Sequence, residues 1–126
     1  MKITQNDNYE EIALNFQCLD IAWLNEVLKN HGVTDKNLRR EICAEYFFGS
    51  GNFIDQYWFK VNGKKFYPRI DFVERVNDEE ESEEDLLYVS TGLFEFHENA
   101  HGNIDWYFDD QDEDASEIEK GVSGVD

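Results

Sequence analysis

The stretch LLYVSTGLFEFHENAHGNIDWYFDD, residues 86–110, decides the fold, because its periodicity sets how far the sheet extends. Phe94 and Phe96 alternate with Glu95 and His97, and Ile104, Trp106 and Phe108 alternate with Asp105, Tyr107 and Asp109. Side chains along a strand point to opposite faces in turn, so the alternation predicts two strands, LLYVSTGLFEFHE and NIDWYFDD, joined through NAHG. The exposed side of that hairpin is expected to be acidic.

Upstream, YWFKVNGKKFYPRIDF (57–72) carries Asn62-Gly63 between aromatic-rich alternating runs, a strong signal for a two-residue type I′ hairpin turn. That turn pairs Val61 with Lys64, Phe59 with Phe66 and Trp58 with Tyr67. One face then holds Tyr57, Phe59, Val61, Phe66, Ile70 and Phe72 and is expected to be core. The other holds Trp58, Lys60, Lys65, Tyr67 and Arg69, a basic and aromatic surface. Pro68, the only proline, donates nothing to a ladder and marks an edge or a bulge.

Ahead of the hairpins the period is helical. Tyr9, Ile12, Ala13 and Phe16 recur at helix spacing over 7–16, with Glu10 and Glu11 where the helix dipole favours acids. LDIAWLNEVLKNHG (19–32) predicts a second helix, capped by Asp20, stapled by Leu19 and Leu24 and stopped by Gly32. VTDKNLRREICAEYFFGSG (33–51) predicts a third, capped by Thr34 and ended by Gly49 and Gly51. The expected fold is therefore α+β: three N-terminal helices packed on one face of a four-stranded, mainly antiparallel sheet of two hairpins. Residues 1–110 form a single domain, and 111–126, almost without apolar residues, form a flexible acidic tail.

At 126 residues there is room for one core, and ten Phe, six Tyr and three Trp supply it. No run is long enough for a membrane helix and no leader is evident, so a cytoplasmic protein is expected. Cys18 and Cys43 show no CxxC spacing and are read as buried free thiols.

Charge is the informative feature. The formal net charge is −18, and residues 76–126 carry eighteen acids against one base, Lys120, while 1–75 carry eleven acids against ten bases. The densest run is RVNDEEESEED, where Asp78, Glu79, Glu80, Glu81, Glu83, Glu84 and Asp85 place seven carboxylates in the nine residues 77–85. Such a surface repels nucleic acid and anionic membranes and attracts basic proteins over a Debye length of about 8 Å at physiological salt.

Catalytic and metal patterns are weak. Glu95, His97, His101 and Asp105 could approach one another across the second hairpin and ligate zinc or manganese, but no metal motif is matched, and the preferred reading is exposed polar residues. Asp110, Asp112 and Asp114 mimic the start of an EF-hand loop that then fails, with Ala115 where glycine is required and Gly121 where the bidentate glutamate belongs. FGSGNF has neither the preceding strand nor the GK[ST] of a phosphate loop. No cofactor is expected.

The expectation is a non-enzymatic acidic inhibitor that binds a basic nucleic-acid-processing protein such as a nuclease. By composition and size alone, that class includes toxin-immunity proteins and phage-encoded nucleic-acid mimics with anti-CRISPR or anti-restriction roles. Contact residues are expected at Asp78, Glu79, Glu80, Glu81, Glu83, Glu84 and Asp85, then Glu95, Asp105, Asp109 and Asp110, with Trp58 and Tyr67 as aromatic contacts. Carboxylates at i and i+2 on a strand stand roughly 6.6 Å apart, near the spacing of successive phosphates. The alternative is a self-associating structural protein, a homodimer joined through its basic face (Lys36, Arg39 and Arg40 on a helix; Lys60, Lys65 and Arg69 on the sheet) and its acidic face. A small metal-dependent enzyme is the remote third reading.

Overall fold

The computed structural model describes residues 1–122. Its elements run β1 (Lys2–Thr4), α1 (Asn8–Asn30), α2 (Lys36–Gln56), β2 (Phe59–Val61), β3 (Lys64–Phe66), β4 (Phe72–Glu74), β5 (Leu86–Tyr88) and α3 (Phe96–Asp105), with a π-helical turn over Trp106–Asp110. The expected arrangement of three N-terminal helices on a four-stranded sheet is corrected on both counts. Two helices lie between β1 and the other four strands, one follows β5, and the five strands form two small sheets.

The two short helices expected over 7–32 are one. Tyr9, Ala13, Gln17, Ile21 and Asn25 are buried at every fourth residue, a stripe that runs straight past Asp20. Two of those five are polar, which hides the continuity in a hydrophobicity pattern. Asp20 therefore sits mid-helix and caps nothing, an interior cost below about 1 kcal/mol that the packing of the stripe outweighs. The stop at Gly32 is as expected: its φ is +86°, and Val33 N–H reaches back to Leu28 O at 2.9 Å.

The cap of α2 is Asp35 rather than Thr34, and its carboxylate accepts from Asn37 N–H at 2.9 Å and from Leu38 N–H. The helix also runs through Gly49 and Gly51 instead of ending there. Gly51 serves close approach: a Cβ on it would lie 2.5 Å from the backbone nitrogen of His97, where α3 crosses.

The largest correction concerns residues 96–110, which are α3 and its π-helical continuation instead of part of a second hairpin. Period two and period 3.6 agree at every fourth residue, and Phe96, Ala100, Ile104 and Phe108 are all buried. The positions between distinguish them: Asn103 and Tyr107 are buried while Trp106 is only half-buried, a helical pattern.

The Asn62-Gly63 hairpin forms in the expected register, Phe59 opposite Phe66 and Val61 opposite Lys64, with φ of +51° and +77° at the two turn residues. Of its expected core face, Ile70 and Phe72 pack against buried residues, but Tyr57, Phe59, Val61 and Phe66 do not. Phe59 is 53% and Phe66 46% exposed, and every residue of β2 and β3 faces solvent. The remaining strands form a three-stranded sheet, β1-β5-β4, with β1 parallel and β4 antiparallel to the central β5.

The main core joins the three helices through Ile21, Cys43, Phe47, Ala100, Ile104, Tyr107 and Phe108. Ala115 is part of it, so the chain after Asp110 returns to the body before its end. A second cluster, Tyr9, Ala13, Phe94 and Phe96 with Ile70, Phe72 and Tyr88 against it, seats the three-stranded sheet on the first turns of α1. Among the described residues, no helix is long and apolar enough to cross a membrane.

Candidate partner-binding surface

The acidic run occupies the loop between β4 and β5, and Asp85 organises it from inside. Asp85 is fully buried. Its Oδ1 accepts from Val76 N–H at 3.1 Å and its Oδ2 from Ser82 N–H at 3.0 Å, while its carbonyl accepts from Lys2 N–H of β1 at 2.8 Å. The Ser82 and Val76 amides favour the ionised form and hold this carboxyl below the usual carboxylate range. Asn77 and Ser82 close smaller turns onto Glu79 N–H and Glu84 N–H. Asp85 is thus the pin of the loop and presents no carboxylate to a partner.

With the backbone so held, Asp78, Glu79, Glu80, Glu81, Glu83 and Glu84 are all exposed. Among the described residues only Glu84 has a cation in reach, Lys2 at 3.8 Å with both side chains mostly in water. A pair of that kind contributes little, so the loop keeps its charge.

The acids of the C-terminal segment are placed differently. Asp105 and Asp109 lie one helical turn apart, and both bind Arg40 of α2. The hydrogen bond from Arg40 holds the Asp109 carboxyl below its ordinary range. Lys36 lies 3.4 Å from Asp112. Arg39, 5% exposed, donates to Glu113 at 2.6 Å, to Asn25 at 2.9 Å and to the carbonyls of Val33 and Thr34. Asn25 in turn donates to Tyr107 Oη at 3.1 Å. Burial works against ionisation of Glu113, but the bonds from Arg39 and Asn25 outweigh it and hold the group below its ordinary range. The basic face of α2 therefore pairs with four acids near the end of its own chain, Asp105, Asp109, Asp112 and Glu113. Residues 123–126 of the expected tail lie outside the described residues.

Of the other expected contact residues, Asp110 is exposed beside the π turn and Glu95 stands at the opposite end of α3, about 15 Å along the helix at 1.5 Å per residue. The strand array of carboxylates at i and i+2 does not form, because there is no strand to carry it. Trp58 and Tyr67 flank the hairpin and are exposed, and Lys65 Nζ sits 4.4 Å from the Trp58 ring centroid.

One further group of titratable side chains comes together. Asp55 at the end of α2 lies against Glu95 and His97, 2.7 Å from the imidazole Nδ1. It borders a cleft of about 210 Å³ lined also by Tyr9, Arg69, Ser90 and Phe94. His101 and Asp105, weighed with Glu95 and His97 as ligands from sequence, are not in this group. Asp55 escaped sequence reading because no spacing signal links it to residues forty positions away. Cys18 and Cys43 are buried free thiols, and burial pushes each up to about 11, so both are protonated at neutral pH.

No family model matches the chain, and no curated protein or solved structure is significantly similar to it.

Proposed function

We propose that this protein is a non-enzymatic, cytoplasmic inhibitor that docks on a basic nucleic-acid-processing protein through the acidic loop 78–84. The observation that carries the reading is the contrast between two sets of acids. Asp105, Asp109, Asp112 and Glu113 are paired with Lys36, Arg39 and Arg40, whereas among the described residues only Glu84 of the six exposed loop carboxylates has a cation beside it, the exposed Lys2 at 3.8 Å. Concentrated like charge destabilises a fold, and here a buried aspartate holds the loop in one shape despite it. Held in that way, the loop steers a basic partner by long-range attraction and registers it through a few desolvated contacts to Lys or Arg. The two buried free thiols suit a reducing compartment.

Glu→Gln changes at 79, 80, 81, 83 and 84 are expected to slow association with the captured partner and flatten its salt dependence while the circular dichroism spectrum stays as it was. An unchanged association rate would reduce the loop to a solvated surface.

A second reading, self-association, is favoured by the hairpin. Phe59, Val61 and Phe66 are exposed on one face, and Trp58 with Lys60 and Lys65 on the other, a surface whose complement is an acidic loop such as that of a second copy. A dimer that dissociates in salt would support it; a monomer at every ionic strength would remove it.

A further inference from the structure

The arrangement of Asp55, Glu95 and His97 has a chemical consequence independent of the acidic loop. Asp55 Oδ2 accepts the backbone N–H of His97 at 2.8 Å and faces the ring Nδ1 at 2.7 Å. A carboxylate accepts and does not donate, so the proton of the imidazole belongs on Nδ1. That leaves the Nε2 lone pair directed at Glu95 Oε2, 3.3 Å away. Two acceptors held face to face repel unless a positive centre, a second ring proton or a metal ion, lies between them.

We propose that Glu95 and His97 hold a divalent metal ion of the zinc class between Nε2 and Oε2, with Asp55 orienting the imidazole from behind. With bonds of roughly 2.0–2.1 Å, two ligands of a tetrahedral ion stand about 3.4 Å apart, and the observed separation is 3.3 Å. The Asp55–His97 bond supplies the carboxylate–histidine–metal arrangement that fixes the tautomer and strengthens the ligand. Ligand atoms of the three residues fall within 4.8 Å of one another, and with Asp55 engaged on Nδ1 the ion falls to Nε2 and Oε2. The remaining coordination positions belong to water, and Glu95 itself borders a cleft of about 210 Å³. Local structure makes the set rigid: Gly51 lets α3 approach α2 closely enough for Asp55 to cap its first turn, and Phe48 packs edge-on against the His97 ring at 5.8 Å.

The test titrates zinc ions into the full chain by calorimetry and follows cobalt ions by visible absorption, on the wild type and on Glu95→Gln, Asp55→Asn and His101→Asn. The expected result is a single wild-type site with a four-coordinate cobalt spectrum. Affinity falls at least tenfold in Glu95→Gln and tenfold to a hundredfold in Asp55→Asn, where the amide oxygen still accepts the His97 backbone N–H. His101→Asn binds as the wild type does. Glu95 is partly in water and takes no part in the core, so loss of binding in that variant is not loss of fold. Absence of a one-to-one site, or binding that survives Glu95→Gln and disappears with His101→Asn, overturns the proposal and leaves a surface histidine pair one helical turn apart.

Discussion

Asp85 and Glu84 are neighbours in a run of acids, yet one is a structural anchor and the other a free surface charge. The difference is two backbone amides: Val76 and Ser82 N–H satisfy Asp85, and no such donors reach the other six. Asp85→Asn keeps the shape but removes the charge that those amides favour, so faster hydrogen exchange at Val76 and Ser82 is expected, with little change elsewhere. Its carboxyl titrates below the unfolded value, so its contribution is present above about pH 4 and disappears as pH falls through the folded value. Glu113 obeys the same sign, because Arg39 and Asn25 favour its ionised form. The Arg39–Glu113 pair is the more stringent case, since it is buried at the junction of α1, α2 and the C-terminal segment. Arg39→Met strips the half-buried Glu113 carboxylate of its partner and is expected to cost about 2–4 kcal/mol in urea unfolding. A loss under about 1 kcal/mol would mean that water replaces the guanidinium.

Among the elements, the α2–α3 crossing depends on a residue without a side chain. Gly51→Ala gains helix propensity worth about 1 kcal/mol but drives a methyl into the backbone of His97, so a net destabilisation of about 1–3 kcal/mol is expected from thermal unfolding. A stabilised variant would show that the helices separate at little cost. This crossing also explains what could and could not be read from residues alone. The Asn62-Gly63 hairpin and the Gly32 stop were legible because each is set by local backbone chemistry. Residues 96–110 read as strand or helix alike, because Phe96, Ala100, Ile104 and Phe108 satisfy either period, and the burial of Asn103 and Tyr107 that separates the two arises only on packing. Strand β1 carries no periodic signal in three residues, and its parallel partner β5 lies more than eighty positions away. The same holds for the candidate sites: the loop carboxylates were visible as a charge run, but their separation from Asp85, and the meeting of Asp55 with His97, exist only once the helices pack.

At the scale of the whole molecule, a net charge of −18 includes four C-terminal acids paired with α2 and six carboxylates concentrated in one open loop. The basic face of α2 lies against the acids of residues 105–113, which accounts for the coexistence of a basic half and an acidic half in one domain. The densest run left open to solvent is the 78–84 loop, and near it in the sequence stands an exposed aromatic hairpin with three lysines. Sedimentation at low and high salt checks the self-association reading: a concentration-dependent dimer at low salt, lost in Phe59→Ser, is its expected outcome. The central claim is that the loop recognises a basic protein at its nucleic-acid groove. It is tested most directly by passing extract from the native host over immobilised wild type and over the variant with Gln at 79, 80, 81, 83 and 84, with and without DNA as competitor. The account predicts one basic, nucleic-acid-binding protein retained by the wild type, released by DNA and absent from the variant. The same protein retained equally by both, and indifferent to DNA, would contradict it.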